Sequence, residues 1–141
     1  MAVALGLIAC QKQENIKFDK TASQGIAGTY TGIWSRTLVG EGNSEIGDGS
    51  IVFEATEDPY VAYITVTSAD LGINRAGLVN VSHADHGYVF YNNSTSDASS
   101  FGTRFSGRVY KDGSIDMQYS VEEQVGRFKN LYQFSFGGNK Q

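Results

Sequence analysis

A single cysteine, a single proline, two histidines and no long apolar run set the first limits on this 141-residue chain. One cysteine excludes an internal disulfide. The one proline, Pro59, stands in Glu57-Asp58-Pro59, a turn from which it can begin a strand but not sit within a central one. No apolar stretch approaches the ~20 residues that a membrane-crossing helix requires. Basic residues are scattered and outnumbered, eleven Lys and Arg against fifteen Asp and Glu, for a net charge of −4. A nucleic-acid surface needs a concentrated basic patch, so nucleic acid is not an expected partner.

What the chain has in quantity is glycine (17) and aromatic residues: eight Tyr, eight Phe and one Trp. Short aromatic-rich stretches broken by Gly, Asn and Asp favour an all-β domain. The N-terminus reads differently. Leu7-Ile8-Ala9-Cys10 closes a short apolar run, and Gln11-Lys12-Gln13-Glu14 after it is polar. That pattern marks a processing segment over residues 1–9, followed by a polar tether over 10–26. Residues 27–141 then form one domain, large enough to bury a core without metals or cross-links.

Alternation sets the strands. Tyr30 and Trp34 share a face of the first, Thr29 to Leu38, and a glycine-rich loop from Gly40 to Gly49 leads to the second, Ser50 to Ala55. Tyr60, Ala62, Ile64 and Val66 share a face of the third, and Val79 and Val81 point inward on the fourth. Gly87 to Tyr91 is apolar on both faces. Phe101, Phe105 and Val109 alternate with polar residues, as do Ile115, Met117, Tyr119 and Val121. Directly opposed residues of an antiparallel pair face the same way, so these two odd-numbered sets must pair odd with odd. Val109 therefore opposes Ile115, Phe105 opposes Tyr119, and Lys111-Asp112-Gly113 is a three-residue loop with Gly113 in the left-handed position. Phe128, Tyr132, Phe134 and Phe136 are even-numbered, which demands an even loop and places Val121 opposite Phe128. Eight strands with short connections predict an up-and-down antiparallel barrel. A two-sheet sandwich fits the same alternation.

Two resemblances add to this reading. Leu7 to Cys10 resembles the four-residue lipobox of bacterial lipoproteins, although no Lys or Arg precedes Leu7, and the residues after Cys10 resemble the signal that sends Bacteroidetes lipoproteins to the cell surface. Gly28-Thr29-Tyr30-Thr31-Gly32 with Gly32-Ile33-Trp34 resembles the lipocalin-type signature of the calycin group, specifically the calycin-like lipoproteins of Bacteroidetes. The resemblance implies a lipidated Cys10, an outer-membrane address and an eight-stranded lipocalin-like barrel. It also implies that Trp34 packs at the closed end beneath a late arginine, either Arg108 or Arg127.

Candidate chemistry is sparse. Both histidines fall in His83-Ala84-Asp85-His86, where a turn could bring His83, Asp85 and His86 onto a divalent metal; the plain reading is a polar turn before Gly87. Glu41, Asn43 and Glu45 recur loosely like a calcium-binding run but lack the glycine and distal glutamate spacing, so a flexible connection is the reading. No nucleophile, base and orienting acid can be matched, and no cofactor is expected. Trp34, Phe53, Tyr63, Phe90, Phe105, Tyr119, Tyr132 and Phe134 either line a cavity for a small apolar ligand or glycan or simply fill the barrel. The expectation is thus a lipid-anchored, non-catalytic envelope protein with a ligand-binding barrel. The rivals are an interaction module with a solid interior, and a metal-dependent enzyme around His83, Asp85 and His86.

Overall fold

Side chains that alternate along a strand put every second residue on one face, and a sheet curled on that face hides them all. This is how the domain's strands are built in a computed structural model that describes residues 20–93, 101 and 104–141. The elements are α1 (Ala22–Ile26), β1 (Gly28–Leu38), β2 (Ser44–Ala55), β3 (Val61–Ser68), β4 (Ile73–Ala84), β5 (Gly87–Asn92), β6 (Ser106–Tyr110), β7 (Ser114–Val125) and β8 (Phe128–Lys140). Each strand pairs antiparallel with its sequence neighbours. β1 also pairs with β8, from Tyr30↔Lys140 to Leu38↔Tyr132, which closes the barrel and excludes the sandwich.

The β6–β7 hairpin has the expected register. Val109 opposes Ile115, and Gly113 takes a φ of 90° in the loop between them. Phe105 lies one residue before the first ladder pair, Ser106↔Gln118, so the strand expected from Phe101 begins at Ser106.

Three expectations are corrected. β2 starts at Ser44, inside the stretch read as a glycine-rich loop, and Glu45 pairs with Arg36 across the β1–β2 ladder. The β7–β8 hairpin keeps the expected parity but is four residues further on. Val121 opposes Tyr132, and Val125 opposes Phe128 around a two-residue loop in which Gly126 has a φ of 62°. Within the stretch read as tether, Ala22–Ile26 is a helix whose Ala22, Ser23 and Ile26 are buried against β2, β3 and β4.

Up-and-down topology gives the barrel two distinct ends. One end holds the β2–β3, β4–β5 and β6–β7 turns and the end of β8, and there α1 packs against β2, β3 and β4. Thr21 caps the helix through its hydroxyl, Gln24 returns the bond to the Thr21 amide, and the Ser23 amide donates to the Pro59 carbonyl at 2.9 Å. At the other end the β7–β8 hairpin projects. Among the described residues, β6 accompanies β7 only to Gln118, and on the β1 side the last contact is the Val39 amide donating to the Leu131 carbonyl at 2.9 Å, so the pairs from Glu123↔Asn130 to Val125↔Phe128 stand clear of the wall.

Candidate functional site

The inward faces of the strands meet along the barrel axis as a train of rings. Tyr30 contacts Phe53 edge-on at 5.7 Å between centroids, Phe53 contacts Phe90 at 5.0 Å, and Phe90 leads to Phe105 at 5.7 Å. Phe105 stacks on Phe101 at 4.9 Å, Phe101 meets Tyr119 at 5.5 Å, and Tyr119 touches both Phe134 (4.7 Å, stacked) and Trp34 (5.8 Å). Phe136 completes the set against Trp34 at 5.0 Å. These are ordinary contact distances for edge-on and stacked rings, so the rings fill the space between them.

Of the expected interior residues, Trp34, Phe53, Phe90, Phe105, Tyr119 and Phe134 are therefore buried against one another. Tyr132 is half-buried beside them. Tyr63 is not inside: it has the opposite parity to Ala62 and Ile64 and stands on the outer wall, 40% exposed. Tyr60, expected to share the inner face of β3, precedes that strand and is also exposed. Phe128 has the inward parity of β8 but lies at the hairpin tip, 75% exposed, because the wall it would pack against has ended.

The closed end is held by Tyr30 rather than Trp34. The Tyr30 hydroxyl donates to the Ile26 carbonyl of α1 at 2.7 Å, and burial, aided by nearby Tyr88, pushes its phenol up to about 12. Trp34 sits ~13 Å further along β1, four residues at the usual strand rise. Neither arginine singled out for it is near: Arg108 is on the outer face of β6, and Arg127 is in the β7–β8 turn. The arginines of this region are Arg36 and Arg75, both at inward-parity positions. Arg75 lies 5.7 Å from the centre of the Tyr119 ring. Arg36 donates to the Leu71 carbonyl at 3.1 Å and pairs with Glu45. Burial pushes the Tyr119 phenol up to about 12, with Arg75 and Arg36 opposing the shift. Their parity with Trp34 and Ile73 was the signal in the sequence; a search for hydrophobic inward faces passes over it.

The His83, Asp85 and His86 cluster does not assemble. Among the described residues no group of three His, Cys, Asp or Glu side chains is placed to hold a metal ion. His83, at the end of β4, packs its ring against Tyr88 at 5.4 Å. Asp85 and His86 form the turn to β5, as the plain reading had it. His83 and Asp85 border a groove, and Asp85 and His86 border an adjoining hollow of about 260 Å3.

That groove was not foreseen. It measures about 820 Å3 and runs between α1 and the rim formed by β5, β6, β8 and the β6–β7 turn. Tyr88 and Tyr110, both half-buried, supply its aromatic surface over the buried Tyr30, and Lys20, Lys111 and Lys140 supply charge. The Lys140 ammonium lies 5.8 Å from the centre of the Tyr30 ring. Gly25 lets the helix come down on Tyr88: a Cβ at that position would overlap the Tyr88 hydroxyl. Cys10, the expected lipidation site, lies outside the described residues.

No family model matches the chain, and no curated protein matches it. An eight-stranded, closed, up-and-down antiparallel barrel is present, and it is compatible with a calycin-like fold.

Proposed function

We propose that this protein is a lipid-anchored, non-catalytic module of the bacterial cell envelope, held at the outer membrane through Cys10, with a solid barrel that carries a binding groove for a small ligand or glycan at its helix end. The observation that carries the binding reading is the contrast between a ring-filled axis and an open groove of about 820 Å3. A ligand inside the barrel would have to part rings already in contact; a ligand in the groove parts none of them. Volume and lining suit a small molecule, since such sites combine aromatic surface with a few polar groups. The anchor reading is supported by Leu7-Ile8-Ala9-Cys10 and by the polar stretch after it.

The test is to express the full-length chain in a bacterial host that processes lipoproteins, feed it labelled palmitate, and separate membranes from soluble material. Label on the protein and membrane recovery, both lost in Cys10→Ser, is the expected result. Equal partitioning of the two proteins removes the anchor.

A second reading, an interaction module of the envelope, is favoured by the projecting β7–β8 hairpin. Its tip exposes Val125 and Phe128 as an apolar pair, and an apolar pair on a protruding ribbon suits insertion into a partner's pocket.

A further inference from the structure

Resting on the groove reading above, we infer that the groove selects oxyanions: its ligand carries a carboxylate or phosphate on a body of about saccharide size. The chain as a whole is acidic, with net charge −4. The groove reverses that sign, bringing Lys20, Lys111 and Lys140 to one cavity against a single carboxylate, Asp85. These lysines come from three separated parts of the chain: the approach to α1, the β6–β7 turn and the end of β8. Among the described residues, the Arg36–Glu45 pair lies elsewhere, on the first two strands, and Asp85 is the one carboxylate that lines the groove with the three lysines.

Like charges gathered around a concave, low-dielectric surface repel one another and focus a field that draws in an anion. The fold keeps them there. Lys140 is fixed by the β1–β8 ladder opposite Tyr30, its amide donating to the Gly113 carbonyl at 2.7 Å, and its stem covers Gly28, where a Cβ would strike Cε. Tyr88, its ring tilted against His83, offers a face for the ligand body.

Such an oxyanion could come from a soluble acidic sugar or from a phospholipid headgroup, and the experiment separates them. The full-length chain bearing Cys10→Ser, so that no acyl chain holds it to vesicles, is titrated calorimetrically with D-glucuronate, inorganic phosphate and D-glucose, and sedimented with phosphatidylglycerol or phosphatidylcholine vesicles. Expected is saturable binding of at least one anionic probe, weakened about tenfold in Lys111→Gln and in Lys140→Gln, the loss of one charge-assisted contact. Lys129→Gln, on the hairpin at the other end, should bind like the parent. Lys111 lies in a solvated turn, so its variant remains informative if Lys140→Gln disturbs the barrel. Binding of glucuronate or phosphate in solution assigns a soluble source. Sedimentation with phosphatidylglycerol alone, lost in Lys111→Gln, assigns a headgroup. Glucose binding as tightly as glucuronate overturns the charge selectivity and leaves the groove reading standing. Absence of saturable binding by every probe overturns both, and so does anion binding that neither groove variant weakens.

Discussion

The indole of Trp34 lies against the bare backbone of Gly49, diagonal to it on the β1–β2 ladder. A Cβ at Gly49 would overlap Trp34 Cδ1 and the Thr67 carbonyl, and would stand 2.8 Å from Trp34 Nε1. Gly49→Ala should therefore cost about 1–3 kcal/mol, the usual penalty for overfilling a close-packed interior. Gly137 is the control. A Cβ there meets nothing within 4 Å, so Gly137→Ala should be neutral or slightly stabilising. Urea titration followed by tryptophan fluorescence compares the two, and equal midpoints would remove the claim that Trp34 is fitted to Gly49.

Alkali should unfold the barrel in a defined window. The phenols of Tyr30 and Tyr119 have folded-state pKa values of about 12 against an ordinary 10.0, chiefly through burial. A buried neutral phenol binds its proton more tightly in the folded state than in the unfolded one. Stability is thus fully present below pH 10 and is lost as pH rises toward 12, by up to about 1.4 kcal/mol per pH unit for each group. Tyrosinate absorbance should show Tyr30 and Tyr119 titrating late or together with unfolding, while the exposed Tyr110, raised by its bond to Asp116, titrates late without unfolding. Normal titration of all eight while the fold persists would contradict this.

Tyr30 also joins the helix to the wall. Tyr30→Phe keeps the ring contact with Phe53 and removes the donor to the Ile26 carbonyl, leaving a buried acceptor unsatisfied. A loss of about 1–2 kcal/mol is expected. It should appear first as faster hydrogen exchange at the Ser23 amide, whose bond to Pro59 ties α1 to the β2–β3 turn, and at the Gly25 amide, whose bond to Thr21 closes the helical turn.

Phe128 and Phe134 share the parity of β8 but not its surroundings. Phe134→Ala should cost about 3–5 kcal/mol, because it empties part of the ring train. Phe128→Ser, at the exposed tip, should stay within about 0.5 kcal/mol of the parent. Chemical denaturation of both variants tests whether the wall ends before the hairpin does.

The barrel was legible in the sequence wherever one face is buried. Val109 opposite Ile115 followed from alternation because both sides of the hairpin bury every second residue. The same argument fixed β7–β8 only to even offsets. Glu122, Glu123, Gln124 and Val125 are all exposed, so no inward set marks where the strand continues, and the pairing could move by four residues without violating parity. β2 escaped for another reason. Its first half carries Gly47 and Gly49, which leave space for Leu71 and Trp34, so the strand shows no apolar alternation although its partner supplies the volume. α1 was hidden by brevity, with Thr21 and Gln24 as a capping pair and only Ala22 and Ile26 as apolar contacts. The groove depends on which turns share an end of the barrel, and three lysines far apart in sequence give no local sign of converging there. Arg36 and Arg75 were legible in principle, since both sit at inward-parity positions.

β1 has β8 as its second neighbour, and the Gln141 amide reaches back to the Thr29 carbonyl at 2.9 Å. During synthesis the first strand waits, with one row of peptide groups unmatched, until the last strand of the domain leaves the ribosome. Thr29, Thr31, Ser35 and Thr37 on its outer side keep that waiting ribbon wettable. Assembly is consequently a late, all-or-none event governed by contacts most distant in the chain, and a slow one for so small a protein.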